Sequence, residues 1–162
     1  MDYDLAKVLL YPENEITGSC NIELDIGKGA IMDIPMKVLI VDDELLISQS
    51  LEITLQCYGY NVISTDSGFR AINAAQAEHF HIALLDIAMP NMNGVELMAE
   101  LRRIAPHTII IMMTAHDNNH PLVKKAMAEK PDKLIHKPFD PIQLVSIIDY
   151  YRDLVKSVEP PY

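Results

Sequence analysis

A chain of 162 residues fits the size of one domain and is long enough to bury a full core. Its formal charge of −10 argues against nucleic acid as a direct partner, and no apolar run approaches the ~20 residues needed to span a bilayer. The start, Met1-Asp2-Tyr3-Asp4, is acidic where a signal peptide would be basic. The two cysteines, Cys20 and Cys57, have no ligand spacing, so a reducing cytoplasm fits best. Cys57 reads as a buried small hydrophobe on an apolar helix face.

In chain order, residues 1–35 form an acidic extension with a net charge of −5. Ile22, Leu24 and Ile26 alternate with Glu23 and Asp25, the period of a half-buried strand. Gly27-Lys28-Gly29 can turn that strand into a second, Ala30–Ile34, which makes a β-hairpin. A weakly ordered extension is the open alternative. From Met36 the pattern changes. Val38-Leu39-Ile40-Val41 reads as a buried strand ending in Asp42, Asp43 and Glu44. A helix over Glu44–Tyr58 follows, with Ile47, Leu51 and Leu55 inward and Gly59 closing it. Asn61–Thr65 is a second strand. Ser67 caps a helix to about Glu78, with Ile72 and Ala75 inward. His81–Leu85 is a third strand and ends at Asp86. A helix from Gly94 to Ile104 carries Leu97, Met98, Leu101 and Ile104. Thr108–Met113 is a fourth strand, ending in Thr114. Pro121 opens a helix to Glu129. A short strand, Lys133–His136, leads to Lys137-Pro138, and Asp140-Pro141 starts the last helix with Leu144, Ile148, Tyr151 and Val155. Alternating strands and helices require an α/β fold with a doubly wound parallel sheet and right-handed crossovers.

In a parallel sheet, all these strand ends lie at one edge, where open α/β folds bind their ligands. Asp42, Asp43, Asp86, Thr114 and Lys137 are therefore brought together. Several carboxylates at one place repel and need a hard cation; oxygen-only donors suit Mg²⁺. A carboxylate can also attack phosphorus to form an aspartyl phosphate. The charge spread over the transferring group is stabilised by a metal, an ammonium and a hydroxyl.

With these residues in order, the chain resembles the receiver domain of bacterial two-component response regulators over roughly residues 36–156. Asp42 and Asp43 look like the family's acidic pair. Asp86 looks like its phospho-acceptor, followed by Met89-Pro90 and Gly94. Thr114-Ala115 and Lys137-Pro138-Phe139 match the later motifs, the proline commonly following a cis bond. The resemblance implies a flavodoxin-like five-stranded sheet of order 2-1-3-4-5. It further implies Mg²⁺-dependent phosphorylation of Asp86 by a sensor histidine kinase or phosphotransfer protein, with Lys137 and Thr114 assisting. Asp43, Asp86 and the Ala88 backbone carbonyl would hold the ion, and Asp42 would act mainly through water. Such a module is a phospho-accepting regulator in the cytoplasm and not an enzyme acting on other substrates. Two positions depart from the pattern: Leu134 stands where the family has Tyr or Phe, and Lys130-Pro131 replaces its Gly-Ala. Both bear on how phosphorylation is transmitted.

Two rival readings come from other classes. A haloacid-dehalogenase-type aspartyl phosphatase places its nucleophile at the first strand end with an Asp two residues on. Here those places hold Asp42 and Glu44, and Asp86 is left idle. A receiver fold used as an unphosphorylated scaffold conflicts with a complete set of phosphorylation residues. The six histidines match no compact metal-ligand spacing, although His116, two residues past Thr114, is placed to tune phosphoryl lifetime. Residues 157–162 are read as a tail or the start of a linker. Both a stand-alone module and one cut from a longer regulator remain open. With no effector domain, output would leave through the face built by residues 121–156. Lys124, Lys125, Lys130 and Lys133 beside Asp149 and Asp153 would suit a homodimer there.

Overall fold

The computed structural model describes residues 35–158, with side chains described as far as Val155. The hairpin expected at residues 22–34 lies outside the described residues. Five strands, β1 (Lys37–Val41), β2 (Asn61–Thr65), β3 (Ile82–Asp86), β4 (Ile109–Thr114) and β5 (Lys133–His136), alternate with five helices. These are α1 (Leu45–Cys57), α2 (Gly68–Ala77), α3 (Gly94–Ile104), α4 (Pro121–Ala128) and α5 (Pro141–Val158). The strands are all parallel, in the order β2-β1-β3-β4-β5. That is the flavodoxin-like order expected from the resemblance.

Two helical layers cover the sheet, and strand parity assigns each strand residue to one of them. Leu39, Val41, Ala83, Leu85, Ile110 and Met112 pack with Ala71, Val95, Leu97, Met98, Leu101, Val123 and Ala126 beneath α2, α3 and α4. Val38, Ile40, Ile82, Leu84, Ile111, Met113 and Ile135 pack with Leu51, Leu55, Leu144, Val145 and Ile148 beneath α1 and α5. Both faces of β1, β3 and β4 are buried, which is why they read as continuous apolar runs without alternation. Cys57, expected to be buried, is only half-buried.

Helix ends show where sequence reading was coarse. Gly59 has φ +84° and closes α1 as expected. Ser67 is the N-cap of α2, but its side chain makes no capping bond. Asn93 caps α3 fully: its side chain accepts from the Val95 and Glu96 amides while the Glu96 carboxylate accepts from the Asn93 amide. His120 caps α4, with Nδ1 accepting from the Leu122 amide at 3.3 Å.

After α4, Lys130 adopts φ +52°, in the left-handed region where a side chain costs about 1 kcal/mol. Lys130→Gly is accordingly expected to raise stability by roughly 0.5–1 kcal/mol, a gain reduced by the extra freedom of glycine in the unfolded chain. Urea unfolding would show a higher midpoint at an unchanged slope. An unchanged midpoint would mean that the turn carries no strain.

Candidate functional site

Parity at the strand ends decides which of the expected residues meet. Asp86 continues the Ile82-Leu84 side of β3, and Asp42 and Lys137 continue the Ile40 and Ile135 sides of β1 and β5. All three therefore turn toward the α1/α5 layer. Lys137 Nζ lies 2.8 Å from Asp86 Oδ1 and 2.7 Å from Asp42 Oδ2, with Glu44 Oε1 at 3.4 Å. The Lys137 side chain is only 7% exposed, and Asp42 is fully buried. A short-range backbone frame holds the acids. The Glu44 amide donates to Asp42 Oδ1 at 2.9 Å, and the Ala88 amide donates to Asp86 Oδ2 at 2.8 Å.

Burial pushes the Asp42 carboxyl above the usual carboxylate range, although Lys137 and the Glu44 amide oppose the shift. Burial also works against the charge of Lys137, but its bonds to Asp42 and Asp86 win, and its ammonium is held more firmly than an ordinary lysine's. Two buried carboxylates thus share one ammonium.

Two expected members stand apart. Asp43 is exposed, and its side chain makes no hydrogen bond or ion pair with the described residues. Thr114 is fully buried but has the opposite parity, continuing the Ile110-Met112 side of β4. Its hydroxyl accepts from the His116 amide at 3.0 Å and so faces the loop between β4 and α4. The Lys137-Pro138 bond is cis, as the resemblance implied.

Gly94 opens α3 as its sequence suggests, and it also has a steric role at the site. A Cβ placed there would lie 2.2 Å from the Asp86 carbonyl oxygen. Its signal was a glycine at the first turn of a helix, which is informative only once the backbone of Asp86 is known to run against it. Glu44 was read as one of three acids without a role; its amide holds Asp42 and its carboxylate lies at the rim beside Lys137.

Comparison with known proteins agrees with this arrangement. Residues 38–149 match the response regulator receiver domain model. The probable transcriptional regulator ycf27 of Cyanophora paradoxa is 32% identical over 125 residues, covering 77% of this chain and 50% of that protein. A cyclic di-GMP phosphodiesterase of Thermotoga maritima is 31% identical over 103 residues, 64% of this chain and 27% of that one. The chain thus spans about half the length of the first of these curated relatives, and less of the second. Among solved structures, the chemotaxis protein CheY4 of Vibrio cholerae is 32% identical with a TM-score of 0.66, covering 72% of this chain and 98% of that one. The matched span runs from the second residue of β1 through β5 into α5 and contains the Asp42–Asp86–Lys137 cluster, and the chain belongs to the response regulator receiver domain family.

Proposed function

We propose that Asp86 is the phosphoryl acceptor of this receiver, supplied by a sensor histidine kinase, a phosphotransfer protein or a small phosphodonor. The observation that carries the reading is the 2.8 Å contact between Asp86 Oδ1 and a buried Lys137 ammonium at the C-terminal edge of a parallel sheet. In the transfer, an Asp86 carboxylate oxygen attacks phosphorus and the bond to the donor's nitrogen or oxygen breaks. The leaving group keeps the electron pair. Lys137 stays within reach of Asp86 and the incoming phosphoryl oxygens, where its fixed charge stabilises the developing negative charge. Thr114 would donate its hydroxyl to the phosphoryl group after releasing the His116 amide.

The residues fit a magnesium ion by their chemistry. Asp42, Asp43, Glu44 and Asp86 offer only hard oxygen donors, and buried Asp42 shares one ammonium with Asp86. Asp43, Asp86 and the Ala88 carbonyl would hold the ion, with Asp42 acting through water. Bound there, Mg²⁺ would neutralise charge on the transferring group. Lys137 now bridges Asp42 and Asp86, so it would give up part of its contact with Asp42.

The receiver unit is taken as residues 36–156, with 1–35 as an extension and 157–162 as a tail or linker. The chain would act in the cytoplasm as a regulator that catalyses only its own phosphorylation and dephosphorylation. No helix among the described residues is long and apolar enough to cross a membrane. Output would leave through the 121–156 face, to a second copy of the chain or another protein and not directly to nucleic acid. Met127, Ile142, Tyr150 and Leu154 are exposed on its helices. Asp149, expected beside the lysines of this face, instead pairs with Arg152 at 2.7 Å and accepts from the Tyr60 hydroxyl. Apolar contact therefore has the larger share in the proposed pairing.

Incubation with acetyl phosphate and Mg²⁺, followed by intact-mass measurement, should add a single phosphate to the protein. Chelating the metal should abolish the addition. Equal yields with and without the ion would contradict the metal's part in the reading.

A further inference from the structure

Thr114 is joined to β5 by two successive bonds through one residue of the β4–α4 loop, His116. The His116 amide donates to the Thr114 hydroxyl at 3.0 Å, while the His116 carbonyl accepts from His136 Nδ1 at 3.1 Å. The other ring nitrogen, His136 Nε2, lies 3.0 Å from Asn118 Oδ1 in the same loop. His136 is directly opposite Thr114 in the β4–β5 register. It shares strand parity with Leu134, which packs into the core beneath α4.

The two partners of this ring are both oxygens. A carbonyl oxygen can only accept, so Nδ1 must carry a hydrogen; an amide oxygen requires the same of Nε2. With Asn118 Oδ1 turned toward the ring, a neutral imidazole has one N–H and satisfies one of these contacts, whereas an imidazolium satisfies both. The geometry points to His136 as a positioning residue that, in its doubly protonated form, clamps the 115–120 loop to β5 and keeps Thr114 in its resting orientation. For Thr114 to turn toward a phosphoryl group, the His116 amide must either release it or move with it. With the carbonyl of the same residue held by His136, the second is restrained. The clamp thus sets how readily the site takes up phosphate, and this consequence rests on the acceptor role proposed for Asp86.

The charged and titratable groups around the ring are His116, Asp117 and His120 from the loop, Lys133 from its own strand and Lys137 directly after it. Asp140 follows on the β5–α5 connection, and the neutral Gln143 shares a cavity with the ring on the α5 side. His116 and His120 are stacked, with centroids 3.8 Å apart. Protonating His120 would act in the opposite direction. His120 Nδ1 caps α4 with its lone pair, so protonating it removes the cap and places positive charge at a helix N-terminus. A loop that tightens on acidification is therefore the signature of His136.

The test is amide hydrogen exchange at residues 116–120 of the unphosphorylated protein, corrected for intrinsic rates, between about pH 5.5 and about pH 8. Imidazoles are the ordinary side chains that change charge in that interval. Protection in the wild type should fall about fivefold as pH rises, the worth of one hydrogen bond. His136→Gln, at an exposed position, should flatten the profile. Asn118→Asp, which can only accept, should steepen it. A wild-type profile that is flat or rises with pH, a pH step retained in His136→Gln, or a profile flattened by Asn118→Asp would overturn the clamp. In a second arm, His136→Gln should take up phosphate from acetyl phosphate about fivefold faster than the wild type near pH 5.5, and an unchanged rate would overturn the coupling. Because the exchange arm uses no phosphate, failure of Asp86 as acceptor would leave it readable.

Discussion

Lys137→Met is expected to destabilise the domain by roughly 3–5 kcal/mol at neutral pH, the usual cost of stranding buried charge. The lysine side chain is nearly enclosed and bridges Asp42 and Asp86, at 2.7 and 2.8 Å. Methionine fills a similar volume but leaves both carboxylates without a cation. The deficit should shrink as pH falls, and the sign follows from Asp42. Burial already raises its carboxyl, with Lys137 opposing; without Lys137 the shift grows. An acid whose folded-state affinity for protons is raised contributes stability when protonated and loses it as pH rises. Asp42→Asn should have the opposite effect, raising stability by ~1–2 kcal/mol at neutral pH. It removes one buried charge, keeps an oxygen for the Glu44 amide and leaves Lys137 paired with Asp86. That gain should vanish in acid, where wild-type Asp42 is itself neutral. Urea unfolding of the three proteins at neutral and acidic pH reads all of these changes. A stabilised Lys137→Met would refute the charge balance assigned to the site.

Gly94→Ala should be nearly as damaging, for a steric reason. The new Cβ would fall 2.2 Å from the Asp86 carbonyl oxygen and 3.0 Å from the Ile87 Cα, both backbone atoms. Either α3 or the acceptor strand end must move by about 1 Å. Overpacking of this kind costs ~1–3 kcal/mol or more. A displacement of that size at reacting groups lowers rate by about 100-fold. Gly68→Ala is the matched control, because its close contact is the Met92 side chain, which can rotate away. Phosphorylation rates with acetyl phosphate, measured beside urea unfolding, should separate the two substitutions. Equal rates for both would show that the Asp86 backbone tolerates the intrusion.

Much of this was legible in the chain. The apolar runs Val38–Val41, Ile82–Leu85 and Ile109–Met113 carry a buried parallel sheet because they are apolar on both faces. The turn chemistry at their ends located Asp42, Asp86 and Thr114. What a one-dimensional reading could not supply was the direction of each side chain past the strand end. Asp42 and Asp43 are adjacent in sequence, yet one is buried on Lys137 and the other is exposed. Thr114 belongs to the same edge but has the other parity, so it bonds to its own loop. Asp149 looked like surface charge, because its partners Tyr60 and Arg152 are distant or on the same helix and only the packing of α5 selects them. The capping pair Asn93 and Glu96 is readable from its three-residue spacing, and it places the helix start one residue before Gly94.

Every functional role proposed for the site depends on one carboxylate, Asp86, receiving the phosphoryl group. Its most direct test is phosphorylation of wild type, Asp86→Asn and Asp43→Asn with acetyl phosphate in Mg²⁺, each followed by intact-mass measurement and peptide mapping. A single phosphate is expected on the wild-type peptide containing Asp86 and none on Asp86→Asn. Asp43→Asn should give a reduced yield at the same residue. An Asp86→Asn protein that takes up phosphate to the wild-type yield would contradict it.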